Sequence, residues 1–464
     1  MAIEKKIDLE EAITSVQMPD GEESIEVEID DDVELEAAEA MGMFDNPEDS
    51  MMPEDHDANL AEMMDTADLQ NVANDLYDGY TRDKESRQEY DDIAEEGVTL
   101  LGFKDEQGDE PFPGACSATH PVLAQAVVKF QAKTYKELFP TEGPVRTRII
   151  GLDTMQKQEQ ANRVRQFMNW QTQIQMPEYG PELDRLLFYV SLYGTAFKKT
   201  YWDPTQQRAC TEFVKSSDFY VNYFASDLES AERYTHKYTL STNQVKKLQL
   251  AGMFRDLDVM ETSIEETGAT ESANEIVGSS KPGQEEDEVE ILEVHANIDL
   301  PGYENEDGLK LPYIVHMTTD EQVLSIRRNW DADDMLMKKK MYFTHYTMIP
   351  GLGFYGYGYL HLIGGLTKTA TSSMRQLIDL GKSLQPLPFK EPSGTLFQLM
   401  QYVTNLAKEF ADATDSVVEQ GSNYGPVGTT MALLEQSSKL FNAVHKRLHA
   451  AQSKDLRILA RLDS

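Results

Sequence analysis

The chain has 464 residues, of which 40% are hydrophobic and 9% aromatic, enough for two or three packed cores and too many for one. Two cysteines, Cys116 and Cys210, exclude a disulfide framework and a four-cysteine zinc site. The net charge of −39 is concentrated: residues 1–66 carry 23 acidic and 2 basic side chains, residues 256–290 carry 12 and 1, and together they supply −32 of it. The rest is nearly neutral with local basic stretches, so the overall sign does not exclude nucleic acid as a partner.

Residues 1–66 read as a disordered acidic arm, a solubilising tail or a peptide that docks on a basic partner; Glu34-Leu35-Glu36-Ala37-Ala38 lies in it without a sustained apolar period. The acidic start is not a signal peptide. No apolar run approaches the ~18 residues of a membrane span, which predicts a soluble protein with no membrane partner. Order is expected from about Ala67, where Leu69, Val72, Leu76 and Tyr80 keep helical spacing. A second helix is predicted from Thr119-His120-Pro121 to Pro140, a third over 154–175, and a fourth over 181–193 that Gly194 ends.

The pattern then changes to strands. Ala196–Trp202, the turn Asp203-Pro204-Thr205 and Arg208–Val214 predict a β-hairpin. An acidic loop covers 256–284, and strands are predicted at 289–298, 312–318, 323–328 and 340–347. A glycine-rich turn at 350–358 leads into a helix to about Leu380. Another helix runs from Thr395 to Glu419, and after the break Gly421–Gly428 a last one covers Thr429–Leu462. Helix blocks beside antiparallel strand blocks predict the α+β class, and no internal repeat is visible.

Chemical motifs fail on context. Gly351-Leu352-Gly353-Phe354-Tyr355-Gly356 matches G-x-G-x-x-G between a strand and a helix. However, Gln385-Pro386-Leu387-Pro388-Phe389 follows the helix where a buried parallel strand is required, and two aromatics crowd the motif. Gly381-Lys382-Ser383 lacks the earlier glycine of a phosphate loop and follows a helix instead of opening one. His445 and His449 stand four apart on the last helix with no third ligand evident, so they read as solvated histidines and no metal is assigned. No Gly-x-Ser-x-Gly elbow occurs. The expectation is a non-enzyme with no catalytic residues and no cofactor.

One helix carries a patterned face. Lys368, Arg375 and Lys382 are spaced by seven, with Thr371 and Ser372 between the first two. Leu362, Leu366, Leu377 and Ile378 take the other side, and Gly364, Gly365 and Ala370 allow close approach of a neighbour. In a monomer this is a solvated face; repeated around a ring it becomes a sparse cationic ladder on a tunnel wall. Two further basic zones are Arg327 and Arg328 with Lys338, Lys339 and Lys340, and the last helix. There Lys439, Lys446, Arg447, Lys454, Arg457 and Arg461 accompany the acid Asp455. Each zone is a solvated surface or a contact for DNA or an acidic partner.

The segment order resembles portal proteins of tailed bacteriophages, particularly the short-tailed type. The resemblance rests on Ser325-Ile326-Arg327-Arg328-Asn329-Trp330, Tyr342-Phe343-Thr344-His345-Tyr346 and Pro350–Gly356. It continues through Leu362-Ile363-Gly364-Gly365-Leu366, Arg375-Gln376-Leu377-Ile378-Asp379 and Pro386–Pro392. It is weaker over the rest of 67–464; Tyr193–Lys198, a helix turning into a strand, looks like the portal wing. The resemblance implies a homo-oligomeric ring, dodecameric, at one capsid vertex in the virion, assembled in the host cytoplasm. Double-stranded DNA would pass through it, and terminase, capsid and scaffold proteins and tail adaptors would be its partners. It implies a wing over 67–284, a β-rich wing and clip region over 285–358, and a stem helix with a tunnel-loop remnant over 359–385. A long wing helix over 386–428 and a crown helix over 429–464 would follow. Lys368, Thr371, Arg375 and Lys382 would face DNA; Arg327, Arg328 and Lys338–Lys340 would serve clip or partner contacts. Lys446, Arg447, Lys454 and Arg457 would form a basic crown face. The sequence departs from the family in the tunnel loop, of which only about Gly381–Gln385 is present, and in having no tail after the last helix. Either the protein is minimal or residues are missing there, in which case Lys382 leaves the stripe. The alternatives are a head-to-tail adaptor or scaffold without a DNA-lined channel, and a nucleotide-binding enzyme using Gly351–Gly356.

Overall fold

The structure is a computed structural model that describes residues 13–17, 23–27, 56–102, 115–149, 154–204, 206–259, 288–305, 308–382, 394–413 and 427–462. In chain order these form β1 (Ile13–Gln17), β2 (Glu23–Val27), α1 (Thr66–Ser86), α2 (Gln88–Leu100), α3 (Val122–Leu138), α4 (Met155–Trp170) and α5 (Tyr179–Tyr193). Then come β3 (Thr195–Asp203), β4 (Arg208–Val214), β5 (Phe219–Val221), β6 (Arg233–Ser241), α6 (Thr242–Leu250), β7 (Glu288–Ile298), β8 (Leu311–Thr318), β9 (Val323–Arg328) and β10 (Phe343–Thr347). Three helices close the chain: α7 (Tyr359–Lys382), α8 (Gly394–Ala413) and α9 (Val427–Leu462). Helix blocks alternate with antiparallel sheets, so the protein is of the α+β class.

Packing divides the chain into two units. The first comprises Met1–Asp78, Tyr238–Thr262 and Glu288–Lys340. In it β7, β8 and β9 form an antiparallel meander with a bulge between His316 and Met317. Val289, Ile291, Leu324, Val245 and Phe254 build its core. Helix α6 opens with a capping box, Ser241 and Gln244 exchanging side-chain and backbone bonds. Packed structure begins well before Ala67. Leu60 and Ala61 are buried, and the Asn59 side chain donates to Leu324 O and accepts from Ile326 N. These bonds cover the backbone edge of β9, a contact that local periodicity cannot announce. The acidic arm also contains the β1–β2 hairpin.

The second unit comprises Gly79–Lys237, Ser263–Asp287 and Met341–Ser464. Its three-stranded sheet has the order β10-β3-β4, antiparallel throughout. Helices α2, α3, α5, α7 and α9 bury Val98, Leu123, Val127, Leu186, Leu187, Ile363 and Leu448 in one core. An aromatic core of Phe197, Phe219, Tyr234, Phe343, Phe354 and Tyr355 lies beside it. Helices α1 and α2 break at Arg87, whose buried guanidinium donates to the carbonyls of Ser216, Ser217 and Phe219 and pairs with Asp91. Helix α4 starts where Thr154 accepts from Lys157 N, and it ends in a wide turn over Gln171–Gln175, inside the span predicted as one helix. The short β5, the polar β6, α2 and α6 have no counterpart among the predicted elements.

Candidate functional site

The turn before α7 is locked by its own backbone. Gly194 ends α5 at φ +88°, and a Cβ there would lie 2.2 Å from the carbonyl carbon of Tyr357, so only glycine fits. Within the turn Phe354 N donates to Tyr223 O, Gly356 N to Thr195 Oγ1, and Tyr357 N to Ile349 O, at 2.6–2.8 Å. The Tyr355 hydroxyl accepts from Val221 N and from Arg87. A Cβ on Gly353 would meet the Tyr223 ring at 2.5 Å. These glycines admit neighbouring protein, and the amides of Phe354, Gly356 and Tyr357 are already bound within the protein. The nucleotide alternative thus has no phosphate cradle in these amides.

Helix α7 has 24 residues and a length of about 36 Å. Ile363, Thr367, Ala370 and Ser373 are buried on one face. Leu362, Gly365, Thr369, Ser372 and Gln376 are exposed, and their spacing of three and four puts them on one stripe. Leu366 and Leu377 are half-buried and Ile378 is exposed.

The residues expected to face DNA do stand on one side of α7, but that side meets the unit's own chain. Lys368 is exposed and paired with Glu96 of α2. Thr371 is buried and its Oγ1 accepts from His120 N at 3.1 Å. Arg375 donates to Ala118 O at 3.0 Å, Ser117 O at 2.8 Å and Thr119 Oγ1 at 3.4 Å. One turn on, Asp379 accepts from Cys116 N. The segment 115–120 has no regular structure to satisfy its polar backbone, and the guanidinium fork does so. Lys382 ends the helix, and its side chain lies outside the described residues. The open stripe is therefore uncharged and adjacent to the residues singled out by spacing.

The other basic zones are partly committed as well. Arg327 donates to Asp57 O at 2.7 Å, and the buried Arg328 donates to His56 O at 3.1 Å, so both anchor the stretch before α1. Lys340 pairs with Asp331 at 2.6 Å; the Lys338 side chain is exposed and Lys339 is half-buried. On α9, Arg447 donates to Met348 O, Lys454 pairs with Glu229, and Arg461 donates to Met341 O. Lys446 and Arg457 are exposed, eleven residues apart on one stripe.

Two side-chain clusters in this unit join residues far apart in the sequence. Lys198 on β3 and Asp455 on α9 are both buried and pair at 2.8 Å, with Thr200 Oγ1 donating to the same carboxylate. The Tyr179 ring lies 3.4 Å from the ammonium. Burial holds the Lys198 pKa below its ordinary value, against the pull of Asp455. Asp455 thus turns inward, away from the cations beside it in sequence. The second cluster is Glu137, His445 and His449, which offers one ligand atom each, all within 4.8 Å of one another. Burial, with His449 and Lys133 nearby, pushes the His445 pKa down to about 4. The pair His445 and His449 was legible as helix spacing; Glu137, on the distant α3, was not.

No protein-family model matches the chain, and no curated protein matches its sequence. No helix among the described residues is long and apolar enough to cross a membrane.

Proposed function

We propose that the chain is the repeating subunit of a tailed-phage portal, a ring at one capsid vertex that conducts double-stranded DNA and docks terminase and then the tail. The observation that carries this reading is α7: a long helix entered through a rigid turn, with an exposed stripe of small and uncharged residues. In a ring the helix would repeat around an axis, and Leu362, Gly365, Thr369, Ser372 and Gln376 would line the wall. Duplex DNA slides past such a wall because few phosphates are neutralised; each phosphate contact adds affinity and so retards movement. Lys368, at the margin of the stripe and tempered by Glu96, contributes weak attraction. Arg375 and Thr371 act in this scheme as anchors of the helix. The Ser325–Pro392 resemblance supports the same assignment, and the chain would act as a passive conduit while terminase supplies the energy.

Mass photometry of the purified full chain tests the proposal. A closed oligomer of about a dozen copies is expected, and monomers or dimers at every concentration would refute it. Rings that assemble in infected cells but never enclose DNA would favour the adaptor or scaffold alternative.

A further inference from the structure

We propose that Glu137, His445 and His449 form a binding site for one divalent transition-metal ion of the zinc class, which ties α9 to α3. The inference is independent of the ring reading, since all three side chains belong to one packed unit. His445 and His449 are separated by one helical turn, so both imidazoles leave α9 on the same side. Glu137 approaches from the last turn of α3, and its Oε2 lies 2.6 Å from Nδ1 of His445.

The geometry suits zinc with small adjustments. Zinc binds imidazole nitrogen and carboxylate oxygen at about 2.0–2.2 Å. Two ligand atoms on a tetrahedral ion are then about 3.3 Å apart. The His445–Glu137 pair must open by about 0.7 Å from its present spacing, and His449 must turn inward. Both moves fall on exposed side chains, Glu137 and His449, while His445 is buried and fixed. Nε2 of His445 stands 3.3 Å from Thr134 Oγ1, which orients the ring with Nδ1 toward the carboxylate. The Phe130 ring meets His445 edge-on at 6.2 Å and closes the inner side. Two imidazoles and one carboxylate favour zinc, cobalt or nickel; calcium and magnesium demand oxygen ligands and more of them. The exposed side of the cluster leaves a fourth position for water. Lys133, one turn before Glu137 on α3, acts on His445 electrostatically and opposes the ion.

The test uses the full chain, stripped with a chelator and titrated calorimetrically with zinc chloride, then with cobalt chloride in the visible spectrum. Because the acidic segments offer weak carboxylate sites, the comparison with variants decides. Wild type is expected to bind one tight zinc that His449→Ala and Glu137→Gln weaken at least about 100-fold, since even outer-shell partners are worth roughly 10–100-fold. Bound cobalt should show the ligand-field bands of a four-coordinate nitrogen and oxygen site. Lys133→Gln should bind zinc more tightly than wild type. Zinc should raise the unfolding temperature of wild type and leave that of His449→Ala in place. Absence of a tight site, or unchanged zinc affinity in both ligand variants, would overturn the proposal and leave a metal-free His–Glu pair.

Discussion

Replacing Asp455 with leucine should be among the most damaging single changes in the second unit. It strands the Lys198 ammonium, which has no solvent exposure, and removes the acceptor of the Thr200 hydroxyl. Breaking a buried pair by deleting one partner costs about 3–5 kcal/mol, and the orphaned hydroxyl adds about 1 kcal/mol. Against a domain stability of roughly 5–15 kcal/mol, that is about a quarter or more of the whole. Restoring neutrality with Lys198→Met in the same chain should recover most of the loss, because a packed apolar pair replaces a buried ion pair at little cost. The pH response gives a separate check. In Asp455→Leu the main opposition to the desolvation of Lys198 is gone and only the more distant Glu182 and Glu178 remain, so its folded pKa falls further below 10.5. Between that lowered value and 10.5 the unfolded chain holds the proton and the folded chain does not, so stability rises with pH. Urea unfolding, followed by hydrogen exchange in peptides covering β3 and α9, reads both effects. A loss under about 1 kcal/mol in Asp455→Leu, or no rescue in the double variant, would refute the reasoning.

Further outcomes follow from other packed positions. Gly194→Ala should destabilise the second unit by at least about 2 kcal/mol, because it combines a left-handed φ with a backbone clash at Tyr357; Gly252→Ala, at φ +68° with open space around it, should lose only about 1 kcal/mol. Arg87→Lys should cost about 2–4 kcal/mol in urea melts, because an ammonium cannot serve three carbonyls, Asp91 and Tyr355 together. His345, in a cluster with the rings of Phe197 and Phe354, has its pKa pushed by burial down to about 4 from 6.5. Its neutral form is the one that folds, so stability is whole above pH 6.5 and is lost as the pH falls toward 4, and His345→Gln should flatten that loss in urea midpoints. Ser372→Glu with Gln376→Glu places two acids on the open stripe of α7 and should leave assembly intact while impairing DNA packaging or retention; normal packaging would remove the stripe from the channel wall.

Local signals carried much of the architecture. Leu183, Leu186, Leu187 and Val190 marked α5, Gly194 its end, and Asp203-Pro204 the turn of the β3–β4 hairpin. All are readable within a few residues because each depends on local backbone geometry or periodicity. What stayed hidden depends on distant chain. Strand β5 has three residues, too short for a pattern, and β6 is largely polar. The break at Arg87 is explained only by carbonyls near Ser216. The seven-residue spacing on α7 was real, but periodicity says which residues share a face and nothing about what covers it. For Thr371 and Arg375 the cover is 115–120, a stretch without any pattern of its own. The same holds for Asp455, which looked like a lone acid among cations and is instead the buried partner of Lys198.

Electron cryomicroscopy of the assembled full chain addresses the ring most directly. The portal proposal predicts a closed ring around a hole wide enough for a DNA duplex, with Gly365, Thr369, Ser372 and Gln376 of every copy facing the hole. A particle without a central channel, or a ring in which that stripe is sealed against a neighbouring copy, would contradict it.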